Sequence, residues 1–328
     1  MDNIDKENML GVLDNFWRQC EESLQLGKNI KVEKPVNGII FCGMGGSSYP
    51  GEIIKGCSDI NIPIEIVRDY EVPLWANKET LVFIITYSGN TEESLSCFRS
   101  AKARGSKIVC ITSGGELVVA CEKTGTNLVR IPSGIQPRSA TGYMTIPVLN
   151  ILSRSKIIED QTDEIVGMVS ILRKDVKENA KALAKRLVDK VPIIYTSNRL
   201  MAVARLWKAA INENAKAQAF FNALPEANHN EINGFVNKRA DFYGIFIEDI
   251  DDLPRIKKRM EITKELMQEW ECHTLILKLT GSNQLARMFS AILMGQYVGY
   301  YLALEYETDP TPVEMVEGLK KKLGVYIK

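Results

Sequence analysis

The sequence predicts an α/β protein with two doubly wound domains, each built on a central parallel sheet flanked by helices. In the first 133 residues, short apolar runs alternate with helical segments, at the spacing that crossover connections between parallel strands require. A second alternation of the same kind begins with the run VPIIYTS at 191–197. Because each alternation can form its own sheet, the chain is expected to use one architecture twice.

The N-terminal half is predicted to begin with a helix and to continue with five strands. Residues 6–26 place apolar side chains at helical spacing before Gly27, which indicates one amphipathic helix. We expect this helix and the sheet to form an N-terminal domain over 1–155. The five strand-like runs are NGIIFCGM, PIEIVRD, TLVFIITYS, SKIVCITS and NLVRIPS.

The C-terminal half is expected to form a second domain over 156–328. A long, charged helical pattern at 161–188 predicts a connector helix, and further strands are predicted at 242–249 and 272–279. A long apolar stretch starts at Met288, but a glutamine interrupts it and charged residues flank it. We interpret this stretch as a buried helix rather than a membrane span.

The composition indicates an ordinary soluble globular protein. Of the 328 residues, 45% are hydrophobic and 25% are charged, and 41 basic residues balance 41 acidic ones. This balance gives no reason to expect nucleic acid or a membrane as a partner. The first residues are acidic where a secretory signal would be basic, so a cytoplasmic location is expected.

The cysteine pattern argues against a disulfide framework and against a zinc site. Seven cysteines are scattered along the chain without a C-x-x-C pair. Reduced and mostly buried thiols are expected instead.

The first candidate binding loop is 43–48, GMGGSS, which lies between a predicted strand and a predicted helix. Glycines there let backbone N–H groups approach an anion, and the helix N-terminus favours negative charge. A dinucleotide site is an alternative, since Asp69 ends the next strand where a ribose-binding acid would lie. Against that alternative, Ser48 stands where the fingerprint requires its third glycine.

The second candidate loop, TYSGNTEES at 86–94, also follows a strand and precedes a helix. Thr86, Ser88 and Thr91 offer three hydroxyls that suit a phosphate monoester. The alternative is a simple helix cap with Glu92 in the first turn. Two such loops at the carboxyl ends of strands in one sheet converge on one crevice, which favours a binding site.

Three further residues could carry acid–base chemistry. Arg138 follows another strand and could stabilise negative charge on a substrate oxygen, although a surface arginine is the alternative. Glu213 lies in a probable helix, and His229 lies in a polar turn. A carboxylate and an imidazole can move the protons of an enolisation, but most glutamates are solvated surface groups. His273 begins a strand and is interpreted as structural.

Six motifs in order resemble one family across nearly the whole chain. They are CGMGGSS, TYSGNTEES, GIQPRSA, NENAKA, PEANHNE and DPTPVEMVEGLKKKL. The chain resembles the SIS (sugar isomerase) family and, within it, the bifunctional phosphoglucose/phosphomannose isomerases. The resemblance implies two SIS domains that interconvert glucose 6-phosphate, and also mannose 6-phosphate, with fructose 6-phosphate. It implies a cis-enediol intermediate and neither a metal nor a cofactor.

The resemblance also implies roles for the matched residues. Glu213 would be the base that shuttles the proton, and Arg138 would neutralise the enediolate oxygen. Thr86 occupies a place where the family more often has serine, and Ser48 one where a smaller residue is common. The residues that would hold the substrate phosphate are Gly46, Ser47, Thr86, Ser88 and Thr91.

Two more roles come from the resemblance alone. His229 would act in ring opening and would be lent across the interface of a homodimer. Lys320 would complete the site near the sugar ring, with the adjacent Lys321 and Lys322 as alternatives.

Two other classes of function remain open from the residues. A non-catalytic SIS-type sensor would keep the phosphate loops without needing Glu213, His229 and Lys320 together, and would usually carry an appended module. A nicotinamide-dependent oxidoreductase would use the first glycine loop and Asp69. An amidotransferase-type synthase is disfavoured, because this length cannot hold a glutamine-hydrolysing domain.

Overall fold

A computed structural model describes residues 4–174, 176–281 and 283–324. Two parallel sheets form its framework, with helices on their faces. The N-terminal sheet has five strands in the spatial order β2-β1-β3-β4-β5, all parallel to their neighbours. Its strands are β1 (Gly38–Cys42), β2 (Ile64–Val67), β3 (Thr80–Ile85), β4 (Lys107–Thr112) and β5 (Asn127–Arg130). All five strands expected from the sequence are confirmed.

The C-terminal sheet has four parallel strands in the order β7-β6-β8-β9. Its strands are β6 (Val191–Ser197), β7 (Phe220–Leu224), β8 (Phe242–Asp249) and β9 (His273–Leu279). Three of them lie where the sequence predicts strands, whereas β7 was missed. β7 is an edge strand with an exposed first residue, so its short sequence FFNAL lacks the long apolar run of a central strand.

Twelve α-helices are assigned among the described residues. In the N-terminal half they are α1 (Met9–Asp14), α2 (Phe16–Glu22), α3 (Tyr49–Cys57), α4 (Glu92–Ala103), α5 (Gly115–Thr124) and α6 (Thr141–Arg154). In the C-terminal half they are α7 (Thr162–Leu172), α8 (Lys177–Leu187), α9 (Met201–Asn214), α10 (Pro254–Glu269), α11 (Gln284–Glu305) and α12 (Glu314–Leu323).

Two predicted helices are each divided in the structure. The single helix expected over 6–26 is α1 and α2, separated at Asn15, whose Nδ2 donates to the Gly11 carbonyl at 2.7 Å and competes with helix continuation. The single connector expected over 161–188 is α7 and α8. Both of these shorter helices pack on α11, and the break lets each bury its own apolar side there.

Helix α11 contains the apolar stretch that starts at Met288, and most of its residues are buried, as expected. Helix α9 lies directly against it. A Cβ on Gly295 would come within 2.4 Å of the Trp207 ring, and a Cβ on Gly299 would come within 2.7 Å of the Ala210 carbonyl oxygen. Trp207 Nε1 also donates to the Ala291 carbonyl at 2.7 Å. This close packing against the buried helix α11 holds α9, which carries Glu213, in a fixed position.

The described part of the chain contains no helix with the length and apolar character of a membrane span. All seven cysteines are free thiols; six are buried and Cys57 is half-buried. The expectation that most of the cysteines are buried is therefore confirmed.

Candidate active site

The first glycine loop lies at the carboxyl end of β1, in a turn of 3-10 helix over Gly45–Ser48. Gly46 packs so closely on the neighbouring loop that a Cβ would lie 2.7 Å from the Pro137 carbonyl oxygen and 2.9 Å from the Arg138 nitrogen. The buried Ser47 Oγ accepts a hydrogen bond from the Tyr87 backbone N–H at 3.1 Å. The first loop therefore contacts both the second loop, at Tyr87, and the segment that contains Pro137 and Arg138.

The second loop follows β3 and packs on the loop that follows β4. Gly89 has a φ of 75°, and a Cβ there would lie 1.7 Å from the Gly114 carbonyl oxygen. Thr86 is buried and donates to Thr91 Oγ1 at 2.9 Å, while Ser88 is exposed. Two of the three predicted hydroxyls are thus in contact with each other, and the third faces solvent.

Arg138 is 2% exposed and joins the two halves of the molecule. Its Nε donates to Asn214 Oδ1 at 2.6 Å, and its Nη1 lies 3.3 Å from Glu213 Oε2. Its Nη2 donates to the carbonyls of Pro310 and Thr311 at 2.9 and 2.8 Å. Burial lowers the pKa of Arg138, and the neighbouring Glu213 carboxylate opposes that shift. The surface-arginine alternative is therefore wrong.

Glu213 lies in the last turn of α9, with its side chain 32% exposed. The carboxylate therefore keeps access to solvent while it contacts a buried cation. A carboxylate, a guanidinium and two loops rich in backbone N–H and hydroxyl groups meet at the carboxyl edge of the N-terminal sheet. Such a set can hold an anion and move a proton beside it.

The structure does not bring His229 or Lys320 to this centre within one chain. His229 is exposed in a short 3-10 helix after β7, and its neighbour Asn228 donates to Thr263 on α10 at 2.8 Å. Lys320 is exposed on α12 and pairs with Glu317 at 2.8 Å. In the described residues, no recorded hydrogen bond or ion pair connects either side chain to Arg138 or Glu213.

Sequence reasoning missed several residues that shape the site. Asn214 is fully buried and accepts from Arg138, and Ser113, after β4, donates to the Tyr87 carbonyl at 2.6 Å. The signal for Asn214 was present, since it directly follows Glu213 in the NENAKA motif. The contacts of Ser113 depend on how two loops pack, which no local pattern reveals.

A charged network beside the first loop was also missed. Glu52 on α3 is buried and accepts from both Arg68 and Arg205, and Arg68 Nε donates to Ser48 Oγ at 3.1 Å. Arg205 lies on α9, two turns before Glu213. The network therefore connects the first loop to the helix that carries the carboxylate.

Among the described residues, no group of three or more His, Cys, Asp or Glu side chains is arranged to hold a metal ion. The donor set at the crevice consists of hydroxyls, backbone N–H groups and a guanidinium, which suit an anion.

The sequence matches two family descriptions, one in each half. Residues 67–143 match the SIS domain, and residues 176–323 match the bacterial phospho-glucose isomerase C-terminal SIS domain. The chain is 40% identical to a bifunctional phosphoglucose/phosphomannose isomerase of Caldicellulosiruptor bescii, over 94% of this chain and 97% of that protein. It belongs to the bifunctional phosphoglucose/phosphomannose isomerase family.

One further relative and one solved structure show how far the likeness extends. A D-glucosamine-6-phosphate 4-epimerase of Sulfolobus acidocaldarius is 34% identical, over 69% of this chain and 72% of that protein. Among solved structures, a hypothetical protein of Thermus thermophilus superposes with a TM-score of 0.70 at 16% identity, covering 99% of this chain and 90% of that one. This last similarity concerns the fold alone.

Proposed function

We propose that this chain isomerises glucose 6-phosphate and mannose 6-phosphate to fructose 6-phosphate through a cis-enediol, without a metal. The observation that carries the proposal is the contact between Glu213 Oε2 and Arg138 Nη1, 3.3 Å apart beside the two loops. A base that removes a proton next to a carbonyl needs a cation close by, because the intermediate carries negative charge on oxygen.

In this proposal Glu213 removes the proton from C2 and returns it to C1. Arg138 is held in place by Asn214 and by two backbone carbonyls, so its guanidinium is already oriented when charge develops on the substrate. Glucose and mannose 6-phosphates differ only at C2. An enediol that can be reprotonated on either face therefore connects both sugars to the same ketose.

The phosphate is proposed to bind between the two loops and to fix the sugar at little further entropic cost. Gly46 and Ser47 belong to the first loop, and both loops lie where parallel strands of one sheet end. In the second loop, Ser88 and Thr91 are proposed to bind the phosphate directly, and the buried Thr86 is proposed to act through Thr91. The Thr86 hydroxyl already donates to Thr91, so the Thr91 hydroxyl hydrogen remains available for a phosphate oxygen.

His229 and Lys320 are proposed to act in ring opening within a cytoplasmic homodimer. Both side chains are exposed in the single chain. Exposure is expected of groups that reach into the site of a partner subunit, or that move when the dimer forms. The proposed domains are 1–155 and 156–328, of which residues 1–3, 175, 282 and 325–328 lie outside the described residues.

The test starts from fructose 6-phosphate in EDTA, with separate assays for glucose 6-phosphate and mannose 6-phosphate. Glu213→Gln should lower kcat by about four orders of magnitude, since general base catalysis is lost, while binding of fructose 6-phosphate persists. Glu122→Gln, at an exposed position on α5, is the matched control. Full activity of Glu213→Gln would contradict the assignment of the base.

The relative named as an epimerase supplies a comparison substrate. Glucosamine 6-phosphate, incubated under the same conditions, should not be converted if the proposed reaction is the main one. Conversion of this amino sugar at a higher kcat/KM than fructose 6-phosphate would replace the proposed function with the epimerase activity.

A further inference from the structure

Lys216 follows the last residues of α9 in an uncommon backbone conformation, with a φ of 54°. Glycine or asparagine is the usual residue at such a position after a helix, because a larger side chain crowds the backbone there. A lysine at this position therefore suggests a use for its side chain.

The Lys216 ammonium makes three hydrogen bonds to backbone carbonyls. Nζ donates to the Glu213 carbonyl at 2.8 Å, to the Asn214 carbonyl at 3.2 Å and to the Asp309 carbonyl at 2.8 Å. The first two belong to the end of α9, where carbonyls have no partner within the helix. The third belongs to the segment that connects α11 to α12. Lys216 thus fastens the residue that carries the carboxylate to that connecting segment.

The same segment is also held by Arg138, which donates to the next two carbonyls, those of Pro310 and Thr311. Two cations therefore bind three successive carbonyls, at 309–311. One of the cations contacts the Glu213 carboxylate, and the other contacts the Glu213 backbone. A shift of the segment would consequently displace the carboxylate and the guanidinium relative to each other.

Lys216 is an exposed residue, but several charges act on its ammonium. Burial lowers the pKa of Lys216, and the nearby Arg138 lowers it further, while Asp309, Glu213 and Glu314 oppose these effects. Asp309 and Glu314 come from the connecting segment and from α12, and Arg138 comes from the N-terminal half. A positive charge is also favourable at the C-terminal end of α9 because of the helix dipole.

We propose that Lys216 is a positioning residue of the reaction centre, which sets the distance between the Glu213 carboxylate and the Arg138 guanidinium by fixing residues 309–311 against the end of α9. The inference rests on the proposed isomerase function. Lys216 does not touch the substrate; it acts through Glu213, Arg138 and the connecting segment.

The test compares Lys216→Asn, Lys216→Arg and the unmodified protein. Asparagine tolerates the positive φ, so Lys216→Asn removes the ammonium with little backbone strain. It should lower kcat for fructose 6-phosphate about 30-fold with KM changed less than about threefold, since misplacement of the reacting groups affects the chemical step most. Lys216→Arg should keep most of the activity. Lys156→Asn is the control, because Lys156 is also exposed with a positive φ of 55°, but among the described residues its side chain makes no hydrogen bond or ion pair.

Two readouts separate positioning from a general structural role. The first is rescue by the conservative variant: the guanidinium of Lys216→Arg can still donate to backbone carbonyls and should keep kcat high, whereas the side chain of Lys216→Asn is too short to reach them. Hydrogen exchange of the amides at 309–313 should become faster, a measurement that does not depend on activity.

The outcomes are distinguishable. Unchanged exchange at 309–313, or an unchanged kcat in Lys216→Asn, would overturn the positioning role. The positioning role would also be overturned if Lys156→Asn lowered Tm and lost as much kcat/KM as Lys216→Asn. In a further outcome, the unmodified protein converts no sugar phosphate while exchange at 309–313 still responds to Lys216→Asn. That result would contradict the proposed function but not the role of Lys216 in holding residues 309–311 in place.

Discussion

Nη1 of Arg138 and Oε2 of Glu213 lie 3.3 Å apart, although the two residues are 75 positions apart in the chain. Arg138 is almost completely buried, whereas the Glu213 side chain is about one-third exposed. The cation is therefore fixed by the protein interior, and the carboxylate faces the crevice. This asymmetry suits a pair in which the carboxylate moves protons and the guanidinium holds still.

Arg138→Lys should be damaging even though the charge is retained. A lysine cannot reproduce the fork that reaches Asn214, Glu213 and two carbonyls, so buried acceptors would lose their partners. We expect kcat to fall by about 10²–10³-fold and the free energy of unfolding by about 3 kcal/mol, measured by steady-state kinetics and urea unfolding.

The control for Arg138→Lys is Arg173→Lys. Arg173 pairs with Glu21 at the surface, where both side chains are about half exposed. Arg173→Lys should therefore change the free energy of unfolding by no more than about 0.5 kcal/mol. Equal effects of the two substitutions on kcat and on the free energy of unfolding would show that the buried contacts of Arg138 contribute to neither.

Gly46→Ala should weaken substrate binding and stability together. The added Cβ would meet the Pro137 carbonyl oxygen at 2.7 Å, a backbone atom that can move away only by displacing the Arg138 loop. The expected result is a KM for fructose 6-phosphate raised about tenfold and a loss of about 2 kcal/mol in unfolding free energy. The matched control is Gly114→Ala, where nothing lies within 4 Å of the new Cβ. A tolerated Gly46→Ala would mean that the two loops can separate freely.

Glu52→Gln should lower the free energy of unfolding by about 2 kcal/mol, because a buried carboxylate that accepts from two arginines becomes a neutral amide. Arg205→Met, alone and combined with Glu52→Gln, completes a double-mutant cycle in urea unfolding. The two losses should be less than additive, since each substitution removes part of the same network. Strict additivity would show that Glu52 and Arg205 do not interact in solution.

Mixed dimers test the origin of His229. Glu213→Gln and His229→Asn should each abolish turnover, but if His229 acts in the partner's site, a dimer of the two variants has one intact site. Random re-pairing of the variants should therefore restore roughly a quarter of the wild-type activity. No recovery in dimers shown to have exchanged subunits would place His229 in the site of its own chain.

The sequence predicted most of the fold because central parallel strands are continuous apolar runs. The runs around Phe41, Phe83 and Ile245 are fully buried on both faces, and such runs have few other interpretations. The edge strand β7 was missed because it is short and its first residue is exposed. The divisions within 6–26 and 161–188 were missed because helical periodicity continues across a short break.

The candidate site was predicted less completely, for a physical reason. Glycine and hydroxyl loops after strands are local patterns, so the loops around Gly46 and Ser88 could be identified from the chain alone. The contacts of Lys216 and Glu52 come from packing between distant elements, which no local pattern contains. Arg138 could be named as a candidate, but its burial could not be foreseen.

The two sheets share the strand order 2-1-3-4, but the guanidinium comes from the segment after the last strand of the first sheet, and the carboxylate comes from α9, between the first two strands of the second. Either half by itself would hold only one member of the pair. A substitution that alters the packing between the halves, even one far from the crevice, would therefore also alter the geometry of this pair.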